Sequence, residues 1–431
     1  MNLIDWLHYL GSLPSGLNNQ SLKHIKSIAQ KLDVVDFPAK VITVTGTNGK
    51  GSTVVFLENI LLAAGFKTGA YISPHVLRYT ERIRVNGLEV DDVRLCKSFA
   101  MVERARGDTV LSYFEFTTLV ALLIFKEKNL DVLILEAGLG GRFDAVNVVA
   151  SSISIITTIA LDHTHVLGGT RESIGYEKSG IMRVHKPVIC GENMPQTVYD
   201  EAARLRAKLH LLHRDFTYIE KENGWDFSFG NKLIKNLPYP RLPITNAVLA
   251  LVALSLLSIP AEAGIGKIKK SAIIQGLKNS FLMGRYQCLV YADREIILDV
   301  AHNPEATLLL SKKLRAIKSE GKNEGEEGRT LAVMSMLRDK NIAESLLPLV
   351  SVIDKWYVGP LEGDRAADKF ELETALQQAG AKNYGIFPDI ICAFNQAIAE
   401  SQEKDKIIAF GSFRMIERLA FLNVSIEETS V

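Results

Sequence analysis

The stretch VITVTGTNGKGST, residues 41–53, limits the possible folds more than any other part of the chain. A β-branched run (41–45) reads as a buried strand, and an apolar-periodic run from Thr53 to Ala64 reads as a helix. Between them lie Gly46, Gly49 and Gly51, which allow backbone amides to curl around anionic oxygens at a helix N-terminus. Lys50 is placed to reach the β- and γ-phosphates of a nucleotide, with Ser52 as a hydroxyl for a metal ion. The loop departs from the strict G-x-x-x-x-G-K-[ST] pattern: Val44 stands at its first glycine and Gly51 follows the lysine, so the hydroxyl arrives one residue late. The competing interpretation is a plain glycine turn between a strand and a helix.

The rest of the chain repeats this alternation. Short apolar runs at 131–136, 152–159 and 187–190 read as strands buried on both faces, and helical patterns occupy Asp92–Arg106, Phe116–Lys128 and Arg171–Met182. The expectation is an α/β fold whose N-terminal domain is a mainly parallel sheet carrying the phosphate loop. Hairpins are expected at 82–90, turning at Asn86-Gly87, and at 216–229, turning at Asn223-Gly224. Near residue 284 the pattern restarts, with strands in 288–301, TLAVMSM, VIDKWYVG and KIIAFGS. This predicts a smaller Rossmann-like α/β domain, so the expected division is 1–284 and 285–431. The charged, glycine-rich stretch 319–329 reads as a solvated loop.

Composition removes several classes. The 50 Lys and Arg against 49 Asp and Glu leave no basic excess for neutralising nucleic-acid phosphates. The four cysteines (Cys96, Cys190, Cys288, Cys392) are far apart and form no C-x-x-C, which fits a reducing compartment. The N-terminal residues lack the pattern of a signal peptide, and no apolar run approaches the ~18 residues of a membrane span. A soluble cytoplasmic α/β protein, with no nucleic-acid and no membrane partner, is the expectation.

Other segments carry candidate chemistry. Glu136 ends a predicted strand, where a nucleotide-bound metal would sit; the competing interpretation is an ordinary helix-cap or loop acid. Asp162, His163 and His165 cluster after the next strand. Ser73 precedes Pro74 in a loop. Arg82 and Arg84 alternate with Ile83, which predicts both guanidinium groups on one side of a short strand, as a solvated face or an anion clamp. Phe114 and Phe116 lie near a helix start and read as core or as a ring-stacking site. Lys178, on a helical stretch, reads as solvent-facing. Asp299 and His302 lie at a strand end before Asn303-Pro304.

In order and spacing, TGTNGKGS, SPH with ERIRVNG, YFEFTT, LEAGLGGRFDAVN, ALDHTHVLG with RESIGYEKSGI, PITNA, GRYQ, LDVAHNP, VMSMLRDK, LEGDRAA and FGSF resemble the Mur ligase superfamily, and within it the bacterial folylpolyglutamate synthases, including those that are also dihydrofolate synthases. The resemblance implies an ATP-binding domain at 1–284 and a glutamate-ligase domain at 285–431. It implies ATP contacts at Gly49, Lys50, Gly51, Ser52, Asn246, Arg285 and Asp299, and Mg²⁺ ligands, at two sites, drawn from Ser73, Glu136 and His163. Lys178 matches a family lysine that becomes carbamylated, which turns a cation into an oxygen-bearing anion beside the metal. Arg82, Ser112, Tyr113, Phe114, Glu115, Arg142 and Phe143 match substrate-binding positions, and Lys50, Lys178 and His302 are the expected catalytic groups. His165 stands where the family commonly has Asp, and Arg414 where it commonly has His.

The implied reaction activates a pterin-bearing carboxylate as an acyl phosphate with ATP, then joins it to the amine of L-glutamate, with domain closure excluding water. The expected substrates are dihydropteroate, folates, L-glutamate and ATP, and the expected state is a monomer. The rivals are a monofunctional folylpolyglutamate synthase, a Mur-type ligase with a UDP-linked acceptor, a phosphotransferase or NTPase on the same loop, and a silent nucleotide-binding protein.

Overall fold

The structure, a computed structural model, describes residues 1–14, 21–257, 268–323 and 328–420. The chain divides into two compact units, Met1–Phe281 and Leu282–Val431.

In the first unit α1 (Leu3–Gly11) and α2 (Lys23–Lys31) precede β1 (Lys40–Thr45), α3 (Lys50–Ala63) and β2 (Thr68–Tyr71). The hairpin β3 (Ile83–Val85) and β4 (Leu88–Glu89) follows, then α4 (Asp92–Arg106), α5 (Tyr113–Lys126), β5 (Val132–Glu136) and β6 (Ile153–Ile156). After them come α6 (Thr164–Leu167), α7 (Arg171–Ser179), β7 (Pro187–Cys190), α8 (Gln196–Arg204) and β8 (Lys208–Leu211). These strands form one sheet in the order β4-β3-β2-β5-β1-β6-β7-β8, in which the run β2-β5-β1-β6-β7-β8 is parallel and the β2–β3 and β3–β4 pairs are antiparallel. Parallel strands covered by helices on both faces need apolar residues at successive positions, and β5 supplies a strand buried at every residue. A separate antiparallel meander, β9 (Phe216–Lys221), β10 (Gly224–Phe229) and β11 (Lys232–Leu237), comes before α9 (Ile244–Leu256) and α10 (Lys270–Asn279).

The second unit runs β12 (Gln287–Tyr291), β13 (Arg294–Asp299), α11 (Pro304–Asn323), β14 (Thr330–Met334), α12 (Ile342–Leu346), β15 (Lys355–Val358), α13 (Lys369–Ala379), β16 (Tyr384–Ile386), α14 (Ile390–Glu400), β17 (Lys406–Phe410) and α15 (Phe413–Ala420). Its sheet order is β12-β13-β17-β14-β15-β16, parallel except for the β12–β13 hairpin. Trp356, Phe410 and Leu346 are fully buried between this sheet and its helices.

Several sequence expectations need correction. The helix after the phosphate loop begins at Lys50 rather than Thr53, because the glycine-containing turn is itself the first helical turn. The second hairpin turns at Glu222-Asn223, and Gly224 is already paired with Lys221. In the stretch expected as a loop, residues 319–323 close α11, while 324–327 lie outside the described residues. Arg82 and Arg84 do not share a face. Arg82 ends a 3₁₀ turn (Tyr79–Arg82) instead of joining the strand, so the alternation starts one residue later.

Candidate active site

The parallel sheet places four of the chemistry-bearing segments side by side. In the order β2-β5-β1-β6, the C-terminal ends lead to Ser73, to Glu136, to the phosphate loop and to the Asp162–His163 segment. Ligands of open α/β sheets bind at this edge, where the connections diverge on either side of one strand.

The phosphate loop is held by the segment after β6. Thr47 N donates to the Thr158 carbonyl (2.8 Å), Asn48 N to Thr158 Oγ1 (3.1 Å) and Thr157 Oγ1 to the Asn48 carbonyl (2.6 Å). Gly46 is required because a Cβ there would lie 1.8 Å from Thr157 Oγ1. Gly49 is the N-cap of α3, left-handed at φ 86°, and caps no amide with a side chain. The first amides of α3 therefore face the loop's concavity, as an anion requires. Lys50 Nζ arches back over the loop to the Gly46 carbonyl at 3.1 Å. Asn246, on the first turn of α9 and 5% exposed, lies against this loop, since a Cβ on Gly49 would meet its Oδ1 at 2.4 Å.

Beside the loop, Ser73 N donates to Glu136 Oε2 at 3.2 Å, so the hydroxyl-bearing residue and the buried carboxylate are neighbours. Hard oxygen donors of this kind suit Mg²⁺. Among the described residues no group of three or more His, Cys, Asp or Glu forms a metal cage. An ion here would depend on the Ser73 hydroxyl and Glu136, with His163 at the N-cap of α6. Lys178 corrects the solvent-facing expectation: it is 4% exposed in the last turn of α7.

The 112–115 segment forms the start of α5, where Ser112 and Glu115 make a reciprocal cap. Glu115 is buried and also lies 2.6 Å from His24 Nε2, which ties α2 to this segment. The Phe114 ring packs on Gly138 so tightly that a Cβ there would come within 2.6 Å of it, which joins the loop after β5 to α5. Phe116 is fully buried core. Arg82 donates through Nε to His75 Nδ1 (2.7 Å), and its guanidinium lies 5.5 Å from the Tyr113 ring centroid. Burial and the Arg82 charge push the His75 imidazole down to about 4, so it accepts this bond as a neutral ring. Arg84 instead pairs with buried Glu58 (Nε to Oε2, 2.8 Å), which makes it structural. Arg142 turns to α7 and α8, stacking 3.9 Å over the Tyr176 ring and reaching Glu201 at 3.2 Å, while Phe143 beside it is half-buried.

The sequence reading missed Asp144. Its buried carboxylate accepts from Leu139 N (2.9 Å) and Val146 N (3.0 Å), and burial raises it to about 7 despite these bonds and the Lys50 charge. An acid two residues past GLGGR was the only signal available. His24 and Thr157 were also missed, because their partners are 91 and 109 residues away in sequence.

In the second unit the Asp299 carboxylate accepts from Tyr286 N (2.9 Å) and Ala301 N (2.8 Å) at the end of β13. Burial raises its affinity for a proton, and the Arg285 charge opposes this. Arg285 itself lies 4.7 Å over the Phe413 ring. His302 Nδ1 donates to the Val300 carbonyl (2.7 Å), which fixes the orientation of the ring.

A phosphate loop, neighbouring hard oxygen donors and a second α/β unit are the parts of an ATP-dependent ligase of the Mur type. Family profiles agree: the Mur ligase middle domain matches residues 44–211, and the Mur ligase glutamate ligase domain matches 284–413. The dihydrofolate synthase/folylpolyglutamate synthase of Escherichia coli (strain K12) is 43% identical over 415 residues, covering 96% of this chain and 94% of its own. That of Haemophilus influenzae is 38% identical over 438 residues, covering 96% of both. Among solved structures, E. coli FolC in complex with DHPP and ADP matches with TM-score 0.89 at 42% identity, covering 98% of this chain and 97% of that one. A bifunctional folylpolyglutamate synthase/dihydrofolate synthase with Mn, AMPPNP and L-glutamate bound matches with TM-score 0.88 at 42% identity, covering 98% of each. The chain belongs to the Mur ligase family, in its dihydrofolate synthase/folylpolyglutamate synthase branch.

Proposed function

We propose that the chain ligates L-glutamate to dihydropteroate and to the γ-carboxylates of tetrahydrofolates, with ATP converted to ADP and phosphate. The observation that carries this reading is the order β2-β5-β1-β6, which sets Ser73, Glu136, the phosphate loop and His163 along one edge of a single sheet. A bound pterin has an aromatic floor in Phe114 on Gly138, with Tyr113 and Arg82 beside it. Phe143 and Arg142 follow on the next loop.

The substrate carboxylate attacks the γ-phosphorus, the bond to the bridging oxygen breaks, and ADP leaves. The amides of Gly49, Lys50, Gly51 and Ser52, with the Lys50 ammonium, hold the negative charge as it shifts during transfer. The glutamate amine then attacks the acyl carbon, phosphate departs, and the nitrogen loses a proton to leave the amide. Ser73, Glu136, His163 and a carbamylated Lys178 would hold Mg²⁺ at two sites, where it would neutralise charge on the phosphates. Asn246, Arg285 and Asp299 bind the nucleotide, and His302 orients an incoming group through Nε2. Residues 1–284 form the ATP-binding domain and 285–431 the glutamate-ligase domain, with Arg285 and Asp299 among the nucleotide contacts. The protein acts as a cytoplasmic monomer on small molecules. Among the described residues no helix is long and apolar enough to cross a membrane.

The test is ADP release with dihydropteroate, tetrahydrofolate and a UDP-muramyl acceptor in parallel, each with and without glutamate. Release that needs glutamate together with either pterin supports the reading, and activity on tetrahydrofolate alone reduces it to a folylpolyglutamate synthase. Turnover indifferent to glutamate, or confined to the UDP-linked acceptor, overturns it.

A further inference from the structure

Arg183 lies four residues beyond the end of α7, and burial lowers its hold on its proton, yet among the described residues it forms no ion pair. Its guanidinium is spent on oxygen acceptors of two segments. One nitrogen donates to the carbonyls of Gly180 (3.3 Å), Ile181 (3.0 Å) and Met182 (3.0 Å), the exit of α7. The other donates to Asn147, at its Oδ1 (2.6 Å) and carbonyl (3.2 Å), on the stretch that follows Glu136. Asn147 returns the link, its Nδ2 donating to the carbonyls of Gly180 and Arg142, each at 3.0 Å. A cation partly withdrawn from water without a carboxylate is costly unless its donors are used, and a helix C-terminus is where its charge is favoured.

The two backbones also meet directly. Arg142 N donates to the Glu177 carbonyl at 2.7 Å, and a Cβ on Gly180 would lie 2.2 Å from Arg142 Cα. A Cβ on Gly141 would lie 2.8 Å from the Lys178 carbonyl. The last turn of α7, which carries Lys178, is therefore fixed against the loop that follows Glu136 through the Arg183–Asn147 strut and this glycine contact.

The geometry points to Arg183 and Asn147 as positioning residues that set the distance between Lys178 and Glu136, and so set the affinity for the divalent cation. The inference rests on the metal-site reading above. Arg is required at 183 because one fork must reach two segments at once, which a lysine ammonium does not do. Losing supports of metal ligands typically costs 10–100-fold in metal affinity.

The experiment measures Mn²⁺ binding in the presence of ADP by paramagnetic resonance of the free ion. It compares the full chain with Arg183→Met, Arg183→Lys, Asn147→Ala and, as the control for the metal site, Glu136→Gln. The expected result is Mn²⁺ bound about 10-fold or more weakly by Arg183→Met, with Arg183→Lys and Asn147→Ala intermediate. The KM for ATP at saturating metal should stay near that of the parent. If Arg183→Met does not fold, Asn147→Ala, which keeps the half-buried cation, carries the test through its own intermediate loss of Mn²⁺ affinity. Parent-like Mn²⁺ affinity in the strut variants, with weakened binding in Glu136→Gln, overturns the strut alone. Parent-like affinity in Glu136→Gln as well overturns the metal-site reading and the strut with it. An equal fall in pterin binding and metal binding would mark a merely structural role and also overturn the strut.

Discussion

Asp144 gives the sharpest quantitative test of the site. Its carboxyl is almost wholly buried, and burial lifts it from 3.8 to about 7. The unfolded chain returns the group to water and an ordinary carboxylate value, so between these two values the folded protein holds a proton that the unfolded chain has released. Stability from this group is thus greatest below about pH 4 and is lost as pH rises towards 7, by up to ~1.4 kcal/mol per pH unit and ~4 kcal/mol in all. The assay is proton release on denaturation in weakly buffered indicator dye, comparing the parent with Asp144→Asn. At pH 6 the parent should release about 0.9 proton more than the variant, and at pH 8 only about 0.1. The comparison needs no two-state assumption, which suits a chain of two units. Equal release from both proteins at pH 6 would refute the argument: it would mean that the amides of Leu139 and Val146 and the Lys50 charge keep the carboxylate ionised despite its burial.

Further outcomes follow from single contacts. Gly49→Ala forces a side chain into a left-handed position against Asn246 and should cost about 1–3 kcal/mol, abolishing the rise in melting temperature on adding ATP while the unliganded protein stays folded. Lys50→Met should cut the rate of ADP formation by 10²-fold or more, as loss of one charge-stabilising group does, with the pterin KM little changed in initial-rate assays. Arg84→Met strands the buried Glu58 charge and should destabilise the first unit by about 3–5 kcal/mol in urea denaturation, without altering the KM for either pterin. A fall in pterin affinity instead would restore Arg84 as a substrate clamp.

How far the sequence could be read depended on the range of the interaction. The strand–loop–helix at 41–63, the Asn86-Gly87 turn and the exact span of α4 are local, set by β-branched runs, glycines and an Asp91 cap, and they were legible. β16 was not, because three half-buried residues give no periodicity. Glu136 was visible as a strand-end acid, but the nearness of Ser73 depends on β2 pairing with β5, a register no local pattern encodes. Lys178 looked like any surface lysine, since its burial comes from the last turn of α7 packing on Gly141. Only the likeness to a known family marked it in advance. Arg84 erred in the opposite direction: alternation placed it beside Arg82, and a carboxylate 26 residues upstream took it elsewhere.

The balance of acids and bases has its own explanation in these contacts. Arg84 answers Glu58 and Arg142 answers Glu201, so much of the charge is spent pairwise inside the first unit. Arg183 is spent differently, on backbone carbonyls and the Asn147 side-chain oxygen, and Lys50 on the loop that an anion would fill. A near-zero sum of charge is therefore compatible with a strongly anion-seeking loop, because the cations that matter are those the fold withholds from carboxylates. Neutralising a paired arginine should chiefly lower stability, whereas neutralising Lys50 should chiefly lower turnover. The contrast between Arg84→Met and Lys50→Met measures that division directly.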